Sequence, residues 1–169
     1  MKAIIAAATT LSLIVAPAFT ETAVAEEASS ADVISLAEDY LAAYSTFDTA
    51  KFGPFYADNA VFSDPTSHGF APGGGAFEYD GKAAIVKGLG DYAAQYKSFS
   101  VHYDLERRYE SGGVVVFIAA LTYESTSKDG KTYTGTNPVV TVVEVRNGKV
   151  VRHTDYYDYR ENAVDLRAD

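Results

Sequence analysis

The chain reads as an α+β domain, with helices first and an antiparallel sheet after them. Three observations predict this class. Val33, Ala37, Tyr40, Leu41 and Tyr44 recur at helical spacing early in the chain. From Phe99 the pattern becomes strict alternation, with Phe99, Val101, Tyr103 and Leu105 set against Ser100, His102, Asp104 and Glu106. Ser111-Gly112-Gly113, Asp129-Gly130 and Asn147-Gly148 then separate apolar runs, and such turns between strands predict a meander of consecutive hairpins.

The elements follow in order. Residues 1–25 read as a signal peptide, with Lys2, an apolar run from Ala3 to Val15, and the small-residue cleavage pattern Ala23-Val24-Ala25. That run is shorter than the ~20 residues of a membrane span. The mature domain is expected to be residues 26–169, exported to the periplasm or secreted. The first helix is predicted over 31–47, with Ser29 and Asp32 forming a start like a capping box. A short second helix, capped by Asp48, carries Phe52, Phe55 and Tyr56. A strand is expected over 60–64, ended by Pro65, with Phe62 and Asp64 on one face. Residues 65–80, holding His68 and Gly73-Gly74-Gly75, read as a loop. The glycine run lacks a following Lys-Ser/Thr, so it is not a phosphate loop. A third helix is predicted over 81–96, with Gly88 and Gly90 either weakening it or permitting close packing. Strands then run over Phe99 onward, 114–124, 132–146 and, after the turn Asn147-Gly148, a last one ending at Tyr156-Tyr157-Asp158. In the 132–146 strand Val139, Val143 and Val145 lie on one face and Val140 and Val142 on the other. Helices would cover one face, and a second subunit the other, so a homodimer is expected.

Composition narrows the function. A net charge of −9 argues against a nucleic-acid backbone or an anionic membrane as the partner. The absence of Cys removes disulfides and thiolate metal sites, so packing alone must hold an exported chain together. The three His show no ligand spacing, and no metal or other cofactor is expected. Thirteen Tyr and nine Phe supply a large aromatic interior, much of it carrying hydroxyls that need partners when buried.

The last strand carries the strongest functional signal. Alternation from Val150 puts Val151, His153, Asp155, Tyr157 and Tyr159 on one face, and Val150, Arg152, Thr154, Tyr156 and Asp158 on the other. The first set places two ionisable groups among aromatics. Buried charge is costly without a partner, so such groups are paired or have a task.

The run Tyr56-Ala57-Asp58-Asn59-Ala60-Val61-Phe62-Ser63-Asp64-Pro65, with Gly81-Lys82-Ala83-Ala84-Ile85 and Gly148-Lys149-Val150 through Asp155-Tyr156-Tyr157-Asp158, resembles the nuclear transport factor 2-like superfamily. Within it the chain is similar to the SnoaL-like branch, beside ketosteroid isomerase, the polyketide cyclases and limonene epoxide hydrolase. The resemblance implies a curved antiparallel sheet, cone-shaped, wrapped around about three helices and enclosing an apolar pocket, with dimers through the outer face. It places Asp64 at the isomerase's general base and Tyr40 at its oxyanion-hole tyrosine. The isomerase's second donor falls near Thr141. Asp155 matches one catalytic aspartate of the hydrolase, whose arginine and other aspartate fall near Thr122 and Glu124.

Two functions follow as expectations. The first is proton-transfer chemistry of isomerase, cyclase or hydrolase type on a small hydrophobic molecule. It would use Asp64, Asp155, Tyr40 and His153 in one cavity, with Tyr44, Phe62 and Tyr157 contacting the ligand. A carboxylate in an apolar pocket has its pKa raised toward a value useful for proton abstraction. The second is a non-catalytic module that binds a small ligand or a partner. There Asp64 would cap the Pro65 turn, and Asp155 would pair with His153 or an arginine for structure.

Overall fold

The computed structural model describes residues 29–71 and 73–160. The expected signal peptide, residues 1–25, lies outside the described residues.

Helix α1 (Ser30–Ser45) begins where Ser29 accepts from the backbone N–H of Asp32, and it buries the expected stripe of Val33, Ala37, Tyr40, Leu41 and Tyr44. The one-turn α2 (Thr49–Phe52) starts at Asp48, whose carboxylate accepts from Ala50 N–H at 3.0 Å. A 3₁₀ turn (Gly53–Phe55) absorbs Pro54 and leads into β1 (Tyr56–Asp64), four residues longer at its start than predicted.

The segment read as one long loop contains structure. A 3₁₀ turn (Pro65–Ser67) is followed by β2 (Phe77–Asp80), which pairs antiparallel with β1, Phe62 opposite Tyr79. Four residues give too brief an alternation to stand out in sequence, and an edge strand needs no more. Helix α3 (Lys82–Ala93) ends three residues before the predicted limit. Its Gly88 faces the Tyr79 ring so closely that a Cβ there would come within 2.3 Å of it. Of the two readings of the helical glycines, close packing applies to Gly88.

Strands β3 (Ser98–Ser111), β4 (Val114–Thr126), β5 (Thr132–Arg146) and β6 (Lys149–Tyr157) form the predicted meander. The six-stranded sheet has the order β2-β1-β6-β5-β4-β3, is curved and does not close. It is mixed rather than wholly antiparallel, because β1 and β6 pair in parallel. The parallel pairing matters for the site. A parallel register sets Phe62 beside His153 and Ser63 beside Thr154, so the next residues, Asp64 and Asp155, become neighbours on the inner face.

A register shift opposite Glu144 and Val145 interrupts β6 between Val150 and Arg152. The extra residue changes which side chains face inward. Val150, placed opposite the His153 face by simple alternation, is fully buried, whereas Val151 is only partly covered. From His153 onward the predicted inner face holds, with His153 and Asp155 buried and Tyr156 exposed. The concave face packs on α1 and α3 around Phe52, Tyr56, Ile85, Val115, Phe117 and Val143.

Candidate active site

Between α1, α3 and the concave sheet lies a partly enclosed cavity of about 110 Å³. Asp64 and Asp155 both line it, as do Tyr44, Phe62 and Tyr157. The rest of the wall is mainly aromatic, including Phe47, Phe77, Tyr92, Phe99 and Tyr103. Among the described residues, no lysine or arginine contributes to the lining. The two carboxylates, 91 positions apart in the chain, are 5% and 6% exposed, so neither is turned to bulk solvent.

Asp64 sits at the end of β1 with both oxygens engaged. Thr66 donates to Oδ1 at 2.8 Å and Tyr159 donates to Oδ2 at 2.5 Å. Burial pushes its pKa above the ordinary carboxylate value; the Tyr159 and Thr66 hydrogen bonds oppose this, and the nearby charge of Asp155 adds to it. Its side chain does not cap the Pro65 turn, where the contact is instead Ser67 Oγ donating to the Asp64 backbone carbonyl at 2.6 Å. The carboxylate lines the cavity while Thr66 of that turn and Tyr159 hold its two oxygens.

Asp155 accepts from Thr141 at 2.5 Å on Oδ1, and the same oxygen lies 2.9 Å from His153 Nε2. That second contact is close but poorly aligned, so Nε2 makes no directed hydrogen bond.

Tyr40 and His153 are placed differently from expectation. Neither lines the cavity, and both are completely buried beneath its floor. His153 is caged by Tyr44, Phe62 and Tyr40, with ring centroids 4.7, 4.9 and 5.6 Å away. Its Nδ1 meets the Tyr40 hydroxyl at 2.5 Å, and Tyr40 in turn bonds the Tyr56 hydroxyl. Burial, followed by the neighbouring Tyr56 and Tyr44, raises the Tyr40 pKa far above that of a free phenol, so the ring stays neutral. The physical reason for the displacement is packing, because the Tyr40 ring sits edge-on against Phe55 and Tyr56. Its hydroxyl serves this internal chain instead of the cavity. The result is a buried line Tyr56–Tyr40–His153–Asp155 that reaches the cavity only at its last member.

Three participants had no site role assigned from sequence, although the resemblance put the isomerase's second donor near Thr141. Thr66 and Tyr159 hold Asp64, and Thr141 holds Asp155. Tyr159 lay on the predicted inner face of the last strand, and Thr141 broke a run of valines, yet neither fact reveals a partner by itself. Glu124, His102 and His68 are exposed and stand outside the cavity.

Comparison with known proteins accords with this architecture. No curated protein sequence matches the chain at a significant level. Among solved structures, a protein named as a SnoaL-like polyketide cyclase from Shewanella putrefaciens superposes with a TM-score of 0.62 at 23% identity, over 75% of this chain and 90% of that one. A protein with a ketosteroid isomerase-like fold from Catenulispora acidiphila gives 0.56 at 18% identity, covering 73% and 85%. A protein named as an isomerase from Bacillus subtilis gives 0.53 at 26% identity, covering 76% and 87%. The SnoaL-like domain model matches residues 37–153, from the buried Ala37 of α1 to His153 of β6, and the chain therefore belongs to the SnoaL-like domain family.

Proposed function

We propose that this protein catalyses cofactor-independent proton transfer on a small, largely apolar molecule, of the isomerase or cyclase type. The observation that carries the reading is the placing of Asp64 and Asp155 side by side in one aromatic cavity, with Asp64 desolvated. A carboxylate with a raised pKa is a better match to an acidic carbon than an exposed one, and positioned acid–base groups contribute about 10²–10⁴-fold in rate. Asp64 is assigned as the base that takes the proton. Asp155, oriented by Thr141 and backed by His153, is assigned as the neighbour that carries a proton to or from a second atom of the substrate. Tyr44, Phe62 and Tyr157 are assigned to ligand contact, and His153 and Tyr40 to positioning Asp155. The names of the cyclase and isomerase relatives support this chemistry.

The test is hydrogen–deuterium exchange of carbon acids in D₂O, followed by proton NMR. Asp64→Asn and Asp155→Asn are each expected to slow the exchange by about 10²–10⁴-fold. Exchange at an unaltered rate in both variants would refute the assignment.

One observation favours a second reading, a ligand-binding module without turnover. The Tyr40 hydroxyl, expected as an electrophilic donor, is committed to His153 and Tyr56. Native mass spectrometry of small molecules retained by the protein separates the two, since a binder keeps its ligand unchanged. The proposed setting is outside the cytoplasm, after loss of residues 1–25. The proposed assembly is a homodimer, supported by the exposed Tyr109, Tyr133 and Tyr156 of the sheet strands and checked by sedimentation.

A further inference from the structure

We propose that the cavity binds an organic cation, a small molecule whose positive nitrogen carries alkyl groups in place of most of its hydrogens. The proposal names a ligand class for the site of the proposed function. It rests on that reading only in taking Asp64 and Asp155 as the groups that meet the ligand.

The charge of the site is one-sided. Asp64 and Asp155 both line the cavity, and both side chains are almost wholly buried. Among the described residues, no lysine, arginine or histidine lines it with them. The nearest candidate counter-ion is His153, and it lies beneath the floor. Its Nδ1 is on the Tyr40 hydroxyl, and its Nε2 is 2.9 Å from Oδ1 of Asp155, the oxygen to which Thr141 also donates. Oδ2 of Asp155 accepts no hydrogen bond from any described residue, so one oxygen of a buried carboxylate is left for whatever fills the cavity. Two carboxylates facing one dry space repel each other, and both stay ionised only beside a positive partner. Burial, and with it the charge of Asp155, pushes the Asp64 pKa up, which is the same imbalance seen from the proton's side.

The walls select the kind of cation. Rings of Tyr44, Phe62, Tyr92, Phe99 and Tyr157 surround the acids. Aromatic faces carry negative charge density and attract a cation that has left water. A primary ammonium brings three N–H donors, each needing an acceptor. The oxygens of Asp64 already accept from Thr66 and Tyr159, so the open oxygen of Asp155 is the one carboxylate oxygen not in use. An alkylated nitrogen has few donors or none to satisfy, and its C–H groups pack on the rings. An anion is repelled by both acids, and a neutral ligand leaves their mutual repulsion in place.

The probes are choline and 3,3-dimethylbutan-1-ol, which has the same shape with carbon in place of the charged nitrogen. Ethanolamine supplies the primary ammonium. In proton NMR titrations of the full chain, choline is expected to bind at least about tenfold more tightly than either. Its N-methyl resonance should move upfield in the ring currents of the walls. Asp155→Asn should remove most of that preference while the neutral alcohol binds as before, which also shows that the cavity is intact. Where Asp155→Asn loses the alcohol too, Asp64→Asn is read by the same criterion. The proposal is overturned if wild-type protein fails to prefer choline to the alcohol, if ethanolamine matches choline, if the N-methyl resonance does not move upfield, or if the variant keeps the preference. Choline has no acidic C–H, so its binding is read apart from turnover. A cation preference that needs Asp155, with carbon-acid exchange indifferent to both acids, refutes only the proton-transfer reading. Exchange that needs the acids, with choline and the alcohol bound equally, refutes only this inference.

Discussion

The hydroxyl of Tyr40 lies 2.5 Å from Nδ1 of His153, joining the first helix to the last strand across 113 positions of sequence. Both residues are fully buried, and the same hydroxyl also meets Tyr56. This junction ties the floor of the cavity to the core.

Tyr40→Phe would orphan both His153 Nδ1 and the Tyr56 hydroxyl. Each unpaired buried group costs about 1–3 kcal/mol, so denaturant unfolding should show a clear loss of stability. The ring does not line the cavity, so KM should change little while kcat falls modestly through a less firmly held Asp155. A fall of ~10²–10³ in kcat at unchanged stability would mean instead that the hydroxyl reaches the reacting oxygen.

Asp64 makes stability and activity respond to pH in opposite directions. Its folded pKa is raised, chiefly by burial, so the folded state holds this proton more tightly than the unfolded chain does. Its favourable contribution is fully present below the unfolded aspartate value and is lost as pH rises through the raised folded value. Catalysis requires the deprotonated base, so the rate should climb across that same interval. Asp64→Asn should remove that part of the stability slope together with the acid limb of the rate. Urea unfolding at stepped pH, run beside the rate profile, checks both.

Tyr159→Phe tests how the carboxylate is tuned. The Tyr159 hydrogen bond lowers the Asp64 pKa against the desolvation that raises it. Losing the hydroxyl should move the acid limb to higher pH, while the phenyl ring still stacks on Phe70, whose centroid is 4.5 Å away. A carboxyl-carbon NMR titration of Asp64 gives the shift directly, and an unmoved or downward midpoint would contradict the geometry.

Gly88→Ala sets helix propensity against packing. Alanine gains up to about 1 kcal/mol in a helix interior. The added methyl, however, would strike the Tyr79 ring, which packs against Phe62 with centroids 5.9 Å apart. Overpacking of this kind costs about 1–3 kcal/mol, so the net change should be destabilising. In a Tyr79→Ala background the same substitution should become stabilising, which thermal unfolding of the double mutant decides.

Much of the fold was legible because its signals are local. Helical spacing located α1, and the three glycine-bearing turns located the meander. What escaped depended on distant partners. Strand β2 is four residues long and exists because β1 offers it an edge. The bulge at Val150–Arg152 adds one residue, and nothing in the alternation of β6 announces it. For the site, Asp64 and Asp155 were recognisable as carboxylates on apolar strand faces. The withdrawal of Tyr40 and His153 beneath the floor was not, since helical spacing says that Tyr40 is inside but not which neighbour its hydroxyl finds.

The parallel pairing of β1 with β6 has a bearing on how the molecule is made. During synthesis the strand ending at Asp64 emerges long before the strand carrying Asp155, and until then one of its long edges has no native mate. Unpaired edges invite wrong partners, so the nascent chain passes through an interval when it is prone to sticking. The two acids meet only when the final strand slots between β1 and β5, which makes assembly of the pocket one of the last events of folding and leaves a prematurely ended chain without the pair.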